Sequence, residues 1–140
     1  MWGMDIFMME VTAAIIRDKD KILICQRAQD DECGMLWEFP GGKLEDGETL
    51  VECICREIKE ELNLNINVLG VFTTNIYRLN GKEIHFTVFN AEILNGKLKL
   101  NVHNDAIWVT KKDLIKYEFM SADIEFVNKM LSADSNNTFI

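Results

Sequence analysis

Residues 37–64 read WEFPGGKLEDGETLVECICREIKEELNL, and the reading of this stretch decides the fold. It opens on Trp37-Glu38-Phe39, passes through the only proline, Pro40, and a glycine pair, and then enters a helix. Thr49 and Glu52 form a T-x-x-E capping box, in which hydroxyl and carboxylate each satisfy a free amide of the first turn. Val51, Ile54, Cys55, Ile58 and Leu62 share an arc of about 100°, the stripe expected to face a core. Asn63 falls where a left-handed residue closes a helix, a conformation Asn tolerates second only to Gly. Glu57, Glu60 and Glu61 stand at i, i+3 and i+4 and project together from a different face.

Like charges at this spacing repel by roughly a few tenths of a kcal/mol per pair, without obvious structural return. Taken alone, E-x-x-E-E is an ordinary solvated helix face. The neighbouring residues point to chemistry instead. The preceding P-G-G lets backbone approach a ligand closely and offers carbonyl oxygens. Arg56 lies beside Glu52 and Glu60 on the helical wheel, where it orients a carboxylate without neutralising the whole set. Clustered hard oxygens suit Mg²⁺ or Mn²⁺ rather than zinc. Such ions bridge phosphate oxygens, activate water and stabilise charge on a leaving phosphate. The residues by themselves therefore support metal-assisted attack on a phosphate.

Outward from this stretch, "MMEVTAAIIR" and "KILICQR" flank the polar turn "DKDK" and read as a hairpin. A loop, "AQDDECGM", leads into Trp37. After the helix, "INVLGVFTTNIYRL" and "KEIHFTVFNAEIL" surround Asn80-Gly81, a favoured hairpin dipeptide. "AIWV" is a short strand, "TKKDLIKY" a short helix opened by a T-x-x-D cap, and "SADIEFVNKML" a second amphipathic helix starting near Ser121. Strands, helix, strands and helix in this order imply a mixed sheet covered on both faces.

The 140 residues suit one domain spanning 1–140, with a polar, frayed tail over about 133–140. A net charge of −8 argues against a basic groove for a nucleic-acid polymer, but leaves room for a small phosphorylated ligand that brings a cation. No apolar run is long enough for a membrane span, and the N-terminus lacks the basic start and cleavage site of a signal peptide. A cytoplasmic protein is the expectation, with Met4 or Met8 as alternative starts. Cys25, Cys33, Cys53 and Cys55 make no C-x-x-C pair and are expected to be reduced, mostly buried thiols.

Gly42, five residues, Glu48, seven residues, then Arg56-Glu57-Ile58-x-Glu60-Glu61-x-Asn63-Leu64 resembles the Nudix box, G-x5-E-x7-R-E-U-x-E-E-x-G-U. Only Asn63 departs, where the family has Gly. "ILICQR", "WEFPGGK", "IWV" and "SADIEFV" extend the resemblance over nearly the whole chain and look like the MutT-type branch. The resemblance implies an α+β protein with the Nudix fold, an α/β/α sandwich in which the box is a loop–helix–loop. It implies that Glu57, Glu60, Glu61 and the Gly41 carbonyl ligate Mg²⁺, with Mn²⁺ as a substitute. Glu57 is the candidate to activate water, and Glu48 and Arg56 support the site. The implied reaction is attack of water on the β-phosphorus of a nucleoside triphosphate, releasing a monophosphate and pyrophosphate.

MutT-like proteins commonly carry a further Glu six residues before the tryptophan matching Trp108. That position here is Val102, which cannot serve; His103 or Asp105 substitutes if the loop is shifted, and otherwise His103 is a surface loop residue. Arg27 matches a substrate-contacting arginine, or is a strand-end arginine facing water. Glu38 is placed to accept from a sugar hydroxyl and Phe39 to line a base pocket, or both are fold elements. Phe86 is either a stacking partner or core. Asp123 aligns with the residue that reads the base edge, or merely favours the dipole of its helix. An ionised Asp only accepts, which favours an amino donor such as cytosine N4; a protonated one also donates, to an oxidised guanine. Two substrates follow: 8-oxo-dGTP in nucleotide-pool sanitising, or CTP, dCTP or 5-methyl-dCTP. A nucleotide-binding sensor without hydrolysis is the alternative that the missing late Glu favours. Monomer and homodimer stay equally open.

Overall fold

The computed structural model describes residues 7–137, with side-chain exposure described for 8–132. Its elements are β1 (Phe7–Asp18), β2 (Lys21–Gln26), β3 (Trp37–Glu38), β4 (Gly41–Lys43), α1 (Leu50–Leu62), β5 (Leu64–Leu79), β6 (Lys82–Gly96), β7 (Asp105–Thr110), a 3₁₀ turn (Lys111–Lys116) and α2 (Ser121–Asn137). The sheet runs β3-β2-β1-β6-β5, with β4 added to β1 and β7 to β2. It is mixed because β1 lies parallel to β6 while every other pairing is antiparallel.

Strand alternation divides the core into two layers. Ala14, Ile16, Leu23 and Cys25 point to one face, where α1 covers them with Ile54, Ile58 and Leu62. Ala13, Ile15, Ile22 and Ile24 point to the other, under Phe126, Val127 and Met130 of α2. Buried on both sides, β1 and β2 read as near-continuous apolar runs. Each wholly buried Ile or Leu contributes about 1.5–3 kcal/mol. The α+β class and the mixed sheet flanked by helices agree with the sequence reading.

The α1 caps form as the sequence implies. Thr49 Oγ1 accepts from the Glu52 amide at 3.1 Å, and Glu52 Oε1 accepts from the Thr49 amide at 2.8 Å. That use of Glu52 removes it from Arg56, its expected neighbour. Asn63 closes the helix at φ 60°, ψ 31°, and its side-chain amide donates to the Lys97 carbonyl at 3.0 Å. Asn80 and Gly81 both take positive φ, as the two-residue hairpin requires.

Four expectations need correction. Val51 is 45% exposed, and the buried face carries Cys53 in its place. The helix is rolled so that Cys53 packs beside Thr12 and the Gly42 carbonyl. The β1–β2 hairpin pairs only at its turn, Arg17 with Ile22 and Asp18 with Lys21, because β4 takes the same edge of β1 at Val11 to Ala13 while β6 holds the opposite edge. The Thr110 hydroxyl caps nothing, and the helix it introduces is a 3₁₀ turn. Of the four cysteines, all unpaired, only Cys25 and Cys53 are buried. Of the expected polar tail over about 133–140, the backbone is described and helical as far as Asn137, while its side chains and residues 138–140 lie outside the described residues.

Asn63→Ala is expected to cost about 1 kcal/mol in urea unfolding, since Ala pays the left-handed penalty that Asn tolerates. Asn63→Gly should stay within about 0.5 kcal/mol of the parent, relief of backbone strain offsetting the lost exposed hydrogen bond.

Candidate active site

The segment 37–43 is laced to both helices. Trp37 donates its amide to the Glu118 carbonyl and accepts from the Met120 amide, both at 2.9 Å. Phe39 stacks on Phe119 at 5.5 Å between ring centroids and donates its amide to Asp123 Oδ1 at 2.9 Å. Pro40 follows, its carbonyl accepting from the Ala14 amide at 2.8 Å. Close approach demands glycine at 41, where backbone is in the way, and crowds 42 against the end of a flexible side chain. A Cβ on Gly41 would stand 2.1 Å from the Thr12 carbonyl oxygen, and one on Gly42 2.4 Å from the carboxylate carbon of Glu57. Thr12 adds a hydroxyl that donates to the Gly42 carbonyl at 3.1 Å.

Arg56 organises the carboxylates. Its Nε and Nη2 donate to the two oxygens of Glu48 at 2.7 and 2.9 Å, a bidentate pair. Its Nη1 reaches Glu57 at 2.9 Å and Glu60 at 3.1 Å, and Nη2 also donates to the Lys43 carbonyl at 3.1 Å. The hydrogen bonds from Arg56, together with the Glu45 amide, lower the Glu48 carboxyl to about 2. Glu60, with its side chain 60% exposed, turns outward to Arg56 and does not line the cleft.

Glu61 is different. It is buried against Glu57, and its Oε1 has no hydrogen-bond partner. Burial raises its carboxyl to about 9; the hydrogen bond and charge of Glu57 and the charge of Glu38 push the same way, while the Gly41 amide pulls it down. Among the described residues no three His, Cys, Asp or Glu side chains converge as a ready-made cage. The donor set nevertheless fits a divalent ion: an orphaned buried oxygen, crowded carboxylates and hard oxygen chemistry are what such a cation relieves.

These groups form one end of a cleft of about 430 Å³. Gly41, Gly42, Lys43 and Glu61 line that end; Arg27, Glu38, Phe39, Phe86 and Asp123 line the rest. Arg27 does not face open water, for it donates to Glu38 at 3.0 Å and to Asp31 at 2.5 Å. The Phe39 ring is buried, whereas Phe86 is half-buried and meets Phe126 edge-on at 5.5 Å. Asp123 is 7% exposed. Burial raises its carboxyl to about 8, overcoming the opposing hydrogen bond from Phe39, so at neutral pH the protonated form prevails.

The later loop does not follow the simple expectation. Val102 is 56% exposed, and Asp105 spends its carboxylate on the Ala106 amide at 2.8 Å. His103 is no surface residue: its side chain is 3% exposed and its Nε2 lies 2.8 Å from Glu38 Oε2. Thr12, Met120 and Asp31 also belong to the cleft and were missed. Thr12 had a signal, a polar residue inside the apolar run "VTAAII"; the other two had none.

A NUDIX domain profile matches residues 7–130. The chain is 33% identical to the CTP pyrophosphohydrolase of Escherichia coli strain K12 over 126 residues, 89% of this chain and 93% of that protein. It is 33% identical to the 8-oxo-dGTP diphosphatase of Proteus vulgaris over 87 residues, 61% of this chain and 78% of that protein. The solution structure of the E. coli ORF135 protein is similar with a TM-score of 0.81 at 28% identity, 94% of each chain being covered. The crystal structure of the MutT protein from Methanosarcina mazei Go1 shares the fold, with a TM-score of 0.80 at 23% identity over 96% of this chain and 99% of that one. Nudix hydrolases generally use a divalent metal. The acidic helix, the sheet that carries it and the similarity along most of the sequence agree: the protein belongs to the Nudix family of hydrolases.

Proposed function

We propose that this chain is a magnesium-dependent nucleoside triphosphate pyrophosphohydrolase, with a cytosine nucleotide as its first candidate substrate. The observation that carries the proposal is the cleft itself, which joins an acidic end at Glu61, packed against Glu57, to a partly apolar end closed by Asp123. Glu57, Glu61 and the Gly41 backbone would hold the metal, with Glu60 recruited from its contact with Arg56. Bound there, Mg²⁺ would neutralise phosphate charge and acidify a water.

The remaining chemistry falls to the chain. Lys43 lies at the phosphate end of the cleft, and Gly42 leaves room for the triphosphate to approach the helix. Arg56 keeps Glu57 oriented so that it can take a proton from the attacking water. Water adds to the β-phosphorus, the bond from that phosphorus to the bridging oxygen breaks, and the monophosphate departs with that oxygen. Pyrophosphate keeps the oxygen of water.

At the other end Arg27 and Glu38 face the sugar, and Phe39 and Phe86 frame the base. A neutral Asp123 no longer favours cytosine by accepting alone, as an ionised one would; it carries one donor and one acceptor, which fit the N3 and N4-amine edge of cytosine. The similarity to a CTP pyrophosphohydrolase over most of the chain supports that choice. The same neutral carboxyl also pairs with the O6 and N1–H edge of an oxidised guanine, which keeps 8-oxo-dGTP as the second reading; similarity to an 8-oxo-dGTP diphosphatase favours it.

Pyrophosphate release from a panel of triphosphates with Mg²⁺ tests the reading, and binding without release would make the domain a sensor. Glu57→Gln combined with Glu61→Gln is expected to lower release by at least about 10³-fold, and retained hydrolysis would refute the site. Gly42→Ala should fold normally, because the flexible end of Glu57 can move aside, yet lose about 10–100-fold in kcat through that displacement. Asp123→Asn should reorder the substrate panel more than it changes the rate on any one phosphate chain; an unchanged ranking retires the base-reading role.

A further inference from the structure

Residues 97–104 form the connection between β6 and β7, and hydrogen bonds clamp it at both ends. The Lys99 and Asn101 amides donate to the carbonyls of Leu62 at 2.9 Å and Glu61 at 3.1 Å. The Asn101 side chain donates to the Glu60 carbonyl at 2.8 Å. At the far end Asn104 gives its amide to the Gln26 carbonyl at 2.9 Å and its side-chain amide to Gln26 Oε1 at 2.7 Å. His103 sits between these clamps, almost wholly buried, with little freedom for its ring to turn.

The ring meets carboxylates. Its Nε2 is 2.8 Å from Glu38 Oε2 and 4.0 Å from Glu61 Oε1. The other oxygen of Glu38 accepts from Arg27 Nη1 at 3.0 Å. One carboxylate is thus gripped from two sides by two donors. It offers about four lone-pair sites, so about two remain for a ligand in the cleft that Glu38 lines. A stand-in for a missing acidic loop residue would bring an oxygen to this place. His103 brings a nitrogen, and next to an accepting carboxylate that nitrogen carries a proton.

We infer that His103 is a positioning residue: donating through Nε2 to Glu38, opposite Arg27, it fixes that carboxylate to accept a hydrogen bond from a sugar hydroxyl of the bound nucleotide. The inference rests on the hydrolase reading above. Hydrogen bonds to a charged partner are directional, and losing one weakens binding by about tenfold or more.

The test is steady-state hydrolysis of CTP by the parent, His103→Asn, His103→Gln, Glu38→Gln and the His103→Asn/Glu38→Gln pair, with thermal melting of each. Gln places its amide nitrogen near the position of Nε2, whereas Asn reaches only that of Nδ1. His103→Asn is expected to raise KM about tenfold with kcat within about twofold, while His103→Gln stays within about threefold of the parent. On the Glu38→Gln background His103→Asn should add less than about twofold, since the two act as one unit. Equal losses in the Asn and Gln variants, or an undiminished Asn effect on that background, would overturn the inference. Nitrogen-15 NMR of the parent protein decides independently of any variant's folding. A protonated Nε2 is the expected state, and an imidazole protonated on Nδ1 alone refutes the assignment. A parent that hydrolyses no triphosphate defeats the hydrolase reading, and the NMR result still judges His103.

Discussion

A single guanidinium makes the acidic helix tolerable. Arg56 ties Glu48 of the preceding loop, the Lys43 carbonyl of β4 and the Glu57 and Glu60 carboxylates of α1 into one network. Half-exposed ion pairs contribute little each to stability, so the value of this network lies in direction. It fixes where the loop meets the helix and turns Glu48 and Glu60 away from the cleft. Glu61 is left to line it, with Glu57 packed against it. The shared strain of those two carboxylates, one of them buried with an orphaned oxygen, is the feature from which the divalent-ion chemistry follows.

The rest of the cleft is built to the same logic of committed donors. Asp123 spends one oxygen on the Phe39 amide, and Glu38 spends one oxygen each on Arg27 and His103. These two carboxylates are therefore already oriented by backbone or by a neighbour, which lowers the cost of ordering when a ligand arrives. Lys43 and Arg27 line the cleft beside four acids, Asp31, Glu38, Glu61 and Asp123, so with an overall charge of −8 an anionic substrate needs a cation to accompany it.

What could be read in the sequence was what depends on near neighbours. The capping box, the left-handed Asn63 and the Asn80-Gly81 turn are set by residues within one turn of each other, and all three stand. The box spacing likewise placed Glu57, Glu61 and Arg56 together. The departures come from distant partners. Cys53 lies about 160° from Val51 on the helical wheel, outside the apolar stripe, and its burial comes from packing against Thr12, a residue of β1 far away in the chain. His103 looked like a surface residue because its burial is imposed by clamps to Gln26 and to the end of α1. Asp123 was legible as a candidate base reader, but not the burial that favours its protonated form, which comes from enclosure by segments far apart in the chain.

The parallel pairing of β1 with β6 has a consequence for biosynthesis. Phe7 faces Lys82 and Ile16 faces Ala91, so β1 waits until residues 82–91 have been made before its parallel neighbour exists. Non-local pairing of this kind brings its closure cost before its reward. The box and its capped helix can form early, but one wall of the pocket, with Ile84 and Phe86, belongs to the late strand. A nascent chain thus carries its glutamates in water, well apart from any nucleotide cradle, until translation has passed the second hairpin.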